Sequence, residues 1–221
     1  MNDFYGDTEP LNLYYDEVKK FLLYHEQTAK DSVVPVPNLL TDHAAQQGVP
    51  RNPVNNELIC MIIFYKTEKL LEKMATDLGK TEDANHAKNY AKKIQEAILK
   101  QYDSVNQTFG NGTHNSLALA YGIMDDEIGQ RALAKSLMGY YKANGHKFDG
   151  GFMSYEIYTM LSKFGYVDDA YDMLVNTNYA GPASSIKTYD ATTFWEAYPQ
   201  DKYLQMARGL NLLHLHILLV G

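Results

Sequence analysis

The feature that most constrains this chain is an alternation between two kinds of helix. Residues Leu58–Tyr65 form an unbroken apolar run inside a helix expected over Asn55–Leu78, with Gly79 as its C-terminal stop. The next helix, expected over Thr81–Tyr102 with Thr81 as N-cap, has a single apolar stripe, Ala84, Ala87, Ala91, Ile94 and Ile98. Lys88, Lys92, Lys93, Glu96 and Lys100 fall outside that stripe. The pair repeats, with Thr113–Ile123 apolar and Asp125–Ala143 amphipathic. A helix that is apolar all round must be covered on several sides, whereas a striped helix needs cover on one. Short turns joining the two kinds describe stacked αα-hairpins with an inner and an outer layer, as in an α/α toroid or an α-solenoid. No fixed-period repeat of residue identities is present, which favours the toroid.

Helical spacing also predicts helices over Leu11–Lys30, Gly151–Phe164, Val167–Asn176 and Tyr203–Leu219. Asp31–Pro53, with Pro35, Pro37, Pro50 and Pro53, and Asn178–Pro199 read as irregular. The total is about eight helices and no convincing strand.

Composition narrows the function. A net charge of −7 supplies no dense phosphate-neutralising face, so nucleic acid is not an expected partner. Met1–Pro10 has neither a basic n-region nor an apolar h-region, and no apolar run approaches the length of a membrane span. As written, the chain is expected to be cytoplasmic and without a membrane partner. As a piece of a longer protein, it is expected to be periplasmic or secreted. Cys60 lies within the buried run and reads as a small hydrophobe. His214 and His216 are two residues apart, the wrong spacing to share a helical face. The acidic clusters at Asp125–Glu127 and Asp168–Asp169 suit helix N-termini. No metal and no cofactor are expected. Tyr occurs 18 times and Trp once; Tyr rings suit clefts for polar ligands such as sugars, and serve equally as core filler.

The strongest local signal is Tyr189-Asp-Ala-Thr-Thr-Phe-Trp195-Glu196, which sets the one Trp beside a carboxylate and after two Thr hydroxyls. A carboxylate against an indole face is a plausible sugar-site element, because apolar surroundings raise its pKa and hydroxyls orient it. A loop Trp in the core with Glu196 capping a helix is the other reading.

Ala191–Glu196 resembles the Gly-Ala-Thr-Thr-x-Trp-Glu motif of bacterial α-L-rhamnosidases, inverting enzymes with a six-hairpin (α/α)6 catalytic barrel. Other segments are similar to that family in the right order: Leu40-Thr-Asp42-His43 to its Gly-Asp-Trp turn, Asn115–Gly122 to an inner helix, and Phe148–Phe152 with Phe164-Gly165 and Asp169-Ala-Tyr171 to a later Gly-rich turn and helix. The resemblance spans roughly residues 36–200. It implies an all-α fold, stacked αα-hairpins forming an incomplete (α/α)6 toroid, with residues 1–35 as an N-terminal helix and linker and 36–221 as a partial barrel. It implies Glu196 as general base, with Trp195, Asp42, His43 and Thr193 binding substrate, a rhamnose-containing oligosaccharide or glycoside.

Two departures bear on activity. An inverting hydrolase needs a second carboxyl about 6.5–9.5 Å from the first. The family's Asp-Glu-Arg-x-Gly-Trp type acid segment is missing from this sequence. A ring of six hairpins also needs roughly 300 residues or more, against the 221 here. The expectation is therefore a fragment without its acid, with a non-catalytic carbohydrate-binding or structural remnant as the alternative. A partial ring would leave apolar inner helices such as Leu58–Tyr65 exposed, which favours a homodimer.

Overall fold

A computed structural model describes residues 6–29, 56–143, 155–178 and 181–193. Among these residues there are eight helices and no strand: α1 (Glu9–Thr28), α2 (Asn56–Asp77), α3 (Thr81–Leu99), α4 (Gly112–Ala120), α5 (Glu127–Ala143), α6 (Tyr155–Lys163), α7 (Val167–Val175) and α8 (Pro182–Tyr189). They fall into two compact units, α1–α3 up to Tyr102 and α4–α8 from Asp103. The expected boundary at residue 35 and the expected helix over Tyr203–Leu219 lie outside the described residues.

In the first unit, α2 forms a hairpin with α3 and is flanked by α1. Leu58, Ile59, Cys60, Met61, Ile62, Phe64 and Tyr65 are all buried, so the run expected to lie exposed in a partial ring is covered, as an all-apolar helix requires. α3 buries Ala87, Ala91, Ile94 and Ile98, the expected stripe without its first member. Each fully buried Leu or Ile contributes about 1.5–3 kcal/mol. α1 buries only Tyr15 and Leu22. Leu13, Tyr14, Phe21 and Tyr24 remain 64%, 62%, 53% and 62% exposed, so its apolar residues divide between a covered and an open face.

In the second unit, every residue of α4 from Gly112 to Leu119 is buried. α4 packs against both α5 and α6, and α6 against α7. α5 buries Leu133, Ala134, Leu137, Met138 and Tyr141 along one stripe. α4 thus contacts its own hairpin partner and the first helix of the next hairpin, as an inner-layer helix does.

The first helix of each hairpin ends alike. Gly79 adopts φ +70°; its N–H donates to Thr76 O at 3.0 Å and that of Lys80 to Ala75 O at 2.7 Å. This Schellman turn needs a left-handed residue, which glycine adopts without a Cβ clash. The same bonds recur at Gly122, from Gly122 to Leu119 and Ile123 to Ala118, and at Gly165, from Gly165 to Ser162 and Tyr166 to Leu161. From 79 to 122 and from 122 to 165 the interval is 43 residues each time. The hairpins therefore keep a period in turn geometry that residue identities hide.

Two local expectations change. α3 has Lys80 as N-cap, without a side-chain cap bond, and Thr81 is its first residue. Asn178–Pro199, expected to be irregular, contains α8. Pro-Ala-Ser-Ser has little helix propensity and no apolar stripe. Here Pro182 occupies the first turn, Ser184 Oγ accepts from Gly181 N–H at 3.0 Å, and Pro182 and Ser185 are buried.

Gly79→Ala should lower stability by about 1 kcal/mol, because the alanine Cβ must enter the left-handed region. Gly139, exposed in mid-α5 with nothing within 4 Å of an added Cβ, should respond oppositely. Gly139→Ala should gain about 0.5–1 kcal/mol. Urea unfolding midpoints of the two variants check the pair.

Candidate functional site

Of the residues expected to bind or react, Thr193 is described. It is exposed, in an irregular stretch after α8. α8 closes on Asp190, which takes a left-handed φ of +52° and donates its N–H to Ile186 O at 3.0 Å. Asp turns the chain there because its short polar side chain tolerates that region. Asp42, His43, Trp195 and Glu196 lie outside the described residues.

The N-terminus of α4 carries buried Thr113, His114, Asn115 and Ser116. Their polarity serves the preceding turn. Asn111 Oδ1 caps the helix by accepting from His114 N–H at 2.8 Å. Asn115 Oδ1 accepts from Phe109 N–H at 2.8 Å, and its amide donates to Thr108 Oγ1 at 2.9 Å. His114 Nδ1 lies 3.2 Å from Phe109 O. Asp103 holds the other side of the turn, accepting from the N–H groups of Val105 and Asn106 at 2.9 and 3.0 Å. The bonds from Asn106, then that from Val105, lower its carboxyl pKa. This network positions the entrance of an inner helix.

A second polar cluster, in the first unit, escaped the sequence analysis. Tyr15 O–H donates to Asp83 at 2.7 Å, and Lys19 Nζ lies 2.7 Å from the same carboxylate. The Lys19 hydrogen bond, then that of Tyr15, holds Asp83 below its usual range. Further along α1, Glu26 oxygens stand 2.8 and 3.0 Å from His86 Nε2 on α3. Glu68 of α2 is fully buried, and neither of its oxygens has a hydrogen-bond partner among the described residues. Burial, and secondarily the charge of Glu26, pushes its pKa up to about 8. Tyr90 is raised too, by burial and then by Glu26 and Glu68. The signal was present: Glu68 occupies an apolar rung, with Phe64 before it and Leu71 and Ala75 after it, all buried. Among the described residues, no group of three His, Cys, Asp or Glu side chains is placed to hold a metal ion. No described helix is long and apolar enough to cross a membrane. Cys60 is buried as expected, and burial raises its thiol pKa.

Glu68 makes stability depend on pH. Its folded pKa lies above the unfolded value, so the unfolded state binds fewer protons between about pH 4.5 and 8. Its contribution is full below the lower value and is lost as pH rises through the upper one. Glu68→Gln should flatten that decline in urea-derived stability, by up to about 1.4 kcal/mol per pH unit.

Comparison with known proteins places the chain. Residues 1–214 match the profile of the bacterial alpha-L-rhamnosidase 6 hairpin glycosidase domain. An alpha-L-rhamnosidase from Formosa agariphila is 28% identical over 96% of the chain, and one from Alteromonas sp. is 25% identical over 87%. These alignments cover 23% and 22% of the relatives' own lengths, so the chain spans about a quarter of the proteins it matches. The α-L-rhamnosidase structure from Dictyoglumus thermophilum superposes with a TM-score of 0.79 at 24% identity, covering 89% of this chain and 23% of that one. The Streptomyces avermitilis α-L-rhamnosidase complexed with L-rhamnose gives 0.74 at 21%, covering 87% and 18%. These likenesses fix the fold as that of stacked αα-hairpins.

Proposed function

The chain belongs to the bacterial α-L-rhamnosidase six-hairpin glycosidase domain family, and on that premise we propose that it is part of an inverting glycoside hydrolase acting on terminal α-L-rhamnosyl linkages. The observation that carries this reading is the family match over residues 1–214, together with the Thr-Thr-Phe-Trp-Glu block at its C-terminal end. Glu196 serves as general base. It takes a proton from a water, whose oxygen attacks the anomeric carbon as the glycosidic C–O bond breaks on the opposite face. Trp195 offers an apolar wall to the sugar, and Asp42, His43 and Thr193 bind it through polar groups. The leaving oxygen needs a proton from an acid, and in this reading that acid lies outside the present sequence.

The division of labour has a chemical test. A 2,4-dinitrophenyl α-L-rhamnoside has a leaving group stable as the phenolate, so its hydrolysis needs the base and no acid. The chain should hydrolyse it, releasing β-L-rhamnose, and should leave an alkyl α-L-rhamnoside intact. Glu196→Gln should lower the activated rate by about 10²–10⁴-fold. Turnover no faster than buffer, or unchanged in Glu196→Gln, sinks the catalytic reading and leaves a binding or structural module.

We further propose that two copies of the chain pair through the open face of α1. Leu13 and Tyr24, both exposed, lie four residues either side of the exposed Glu17–Lys20 ion pair. An antiparallel copy would set Leu13 on Tyr24 and Glu17 on Lys20, a self-complementary two-fold contact. Light scattering should give a dimer mass, and Leu13→Glu with Tyr14→Glu should give a monomer. A monomeric wild-type chain contradicts the pairing.

A further inference from the structure

The two halves of α1 are fastened to the α2–α3 hairpin by different chemistry. The N-terminal half uses the Tyr15 phenol and Lys19 ammonium on Asp83. Their environment raises the Tyr15 pKa and lowers that of Asp83, so both keep their neutral-pH forms well into mild alkali. In the C-terminal half, titratable side chains from all three helices come together. α1 contributes His25 and Glu26, α2 contributes Glu68, and α3 contributes His86 and Tyr90. Glu26 pairs with His86, a pair that is ionic only while the imidazole is protonated. Among the described residues neither Glu68 oxygen has a hydrogen-bond partner, and the charge of Glu26, of like sign, acts on the group. His25 Nδ1 is also buried without a hydrogen-bond partner among the described residues, its ring packed against Phe21, Tyr24 and Phe64 at centroid distances of 4.4, 5.3 and 5.1 Å. On α2 itself, Lys69 and Glu72 pair with each other.

We propose that this cluster is a proton-held clasp, closing the C-terminal half of α1 on the α2–α3 hairpin while Glu68 is protonated, and opening when that proton leaves. Glu68 without its proton is a buried anion with no hydrogen-bond partner among the described residues, and it repels Glu26. Lifting the end of α1 admits water to Glu68 and carries Glu26 away from it. The Tyr15–Lys19–Asp83 contact holds the other end, so opening is local and does not require the hairpin to unfold.

Hydrogen exchange of the full chain at pH 6.5 and pH 9, corrected for the intrinsic pH dependence of amide exchange, tests this. Amides of residues 22–28 should lose at least tenfold more protection than those of 12–19. Glu68→Gln should largely retain its pH 6.5 protection at pH 9, and Glu68→Met, apolar and of similar size, should do the same if the Gln variant fails to fold. Unchanged protection between the two pH values overturns the proposal. So does an equal loss in the Glu68 variants, or a loss spread evenly over α1, α2 and α3.

Discussion

The structure depends on helices that cannot tolerate water on any side. The Leu58–Tyr65 stretch of α2 and the Gly112–Leu119 stretch of α4 are buried almost throughout. Such a segment is stable only when several neighbours surround it. That demand places α3 and α1 around α2, and α5 and α6 around α4. The striped helices, each satisfied by cover on one face, take the outer positions. The glycine turns at 79, 122 and 165 let the chain leave one layer for the other in the least length.

The layer assignment was legible in the sequence because it rests on how many helix faces are apolar, and α2 to α5 follow it closely. The 43-residue period of the turns was not. A Schellman turn constrains one backbone angle at one residue, and glycine is common enough that three of them do not stand out among 15. α8 was missed for a related reason. Its stability comes from Pro182 at the first turn and burial of small side chains, neither of which makes a periodic apolar signal. α1 was read as a helix over Leu11–Lys30 from its apolar spacing, whereas only Tyr15 and Leu22 are buried. Periodicity marks a face as apolar; it does not say whether a neighbour is present to cover it.

For the site, resemblance to a family motif suggested candidate residues, and the match over residues 1–214 shows the family itself. Thr193 is the expected site residue with a described position, an exposed one. The polar groups the structure does resolve have other duties. Those at the head of α4 saturate a turn. Those around Glu68 bring together side chains of three helices, Glu26 of α1, Glu68 of α2 and His86 of α3. Glu68 was readable as a carboxylate on an apolar rung of α2. Its like-charged neighbour on α1, Glu26, was not, because that proximity exists only in the fold.

The central proposal is that this chain, which spans about a quarter of the length of the relatives it matches, binds L-rhamnose. Isothermal titration of the full chain with L-rhamnose addresses it most directly. A one-site binding isotherm that Trp195→Ala abolishes is the predicted result. The absence of any binding heat at millimolar sugar, from a chain shown to be folded, would contradict it.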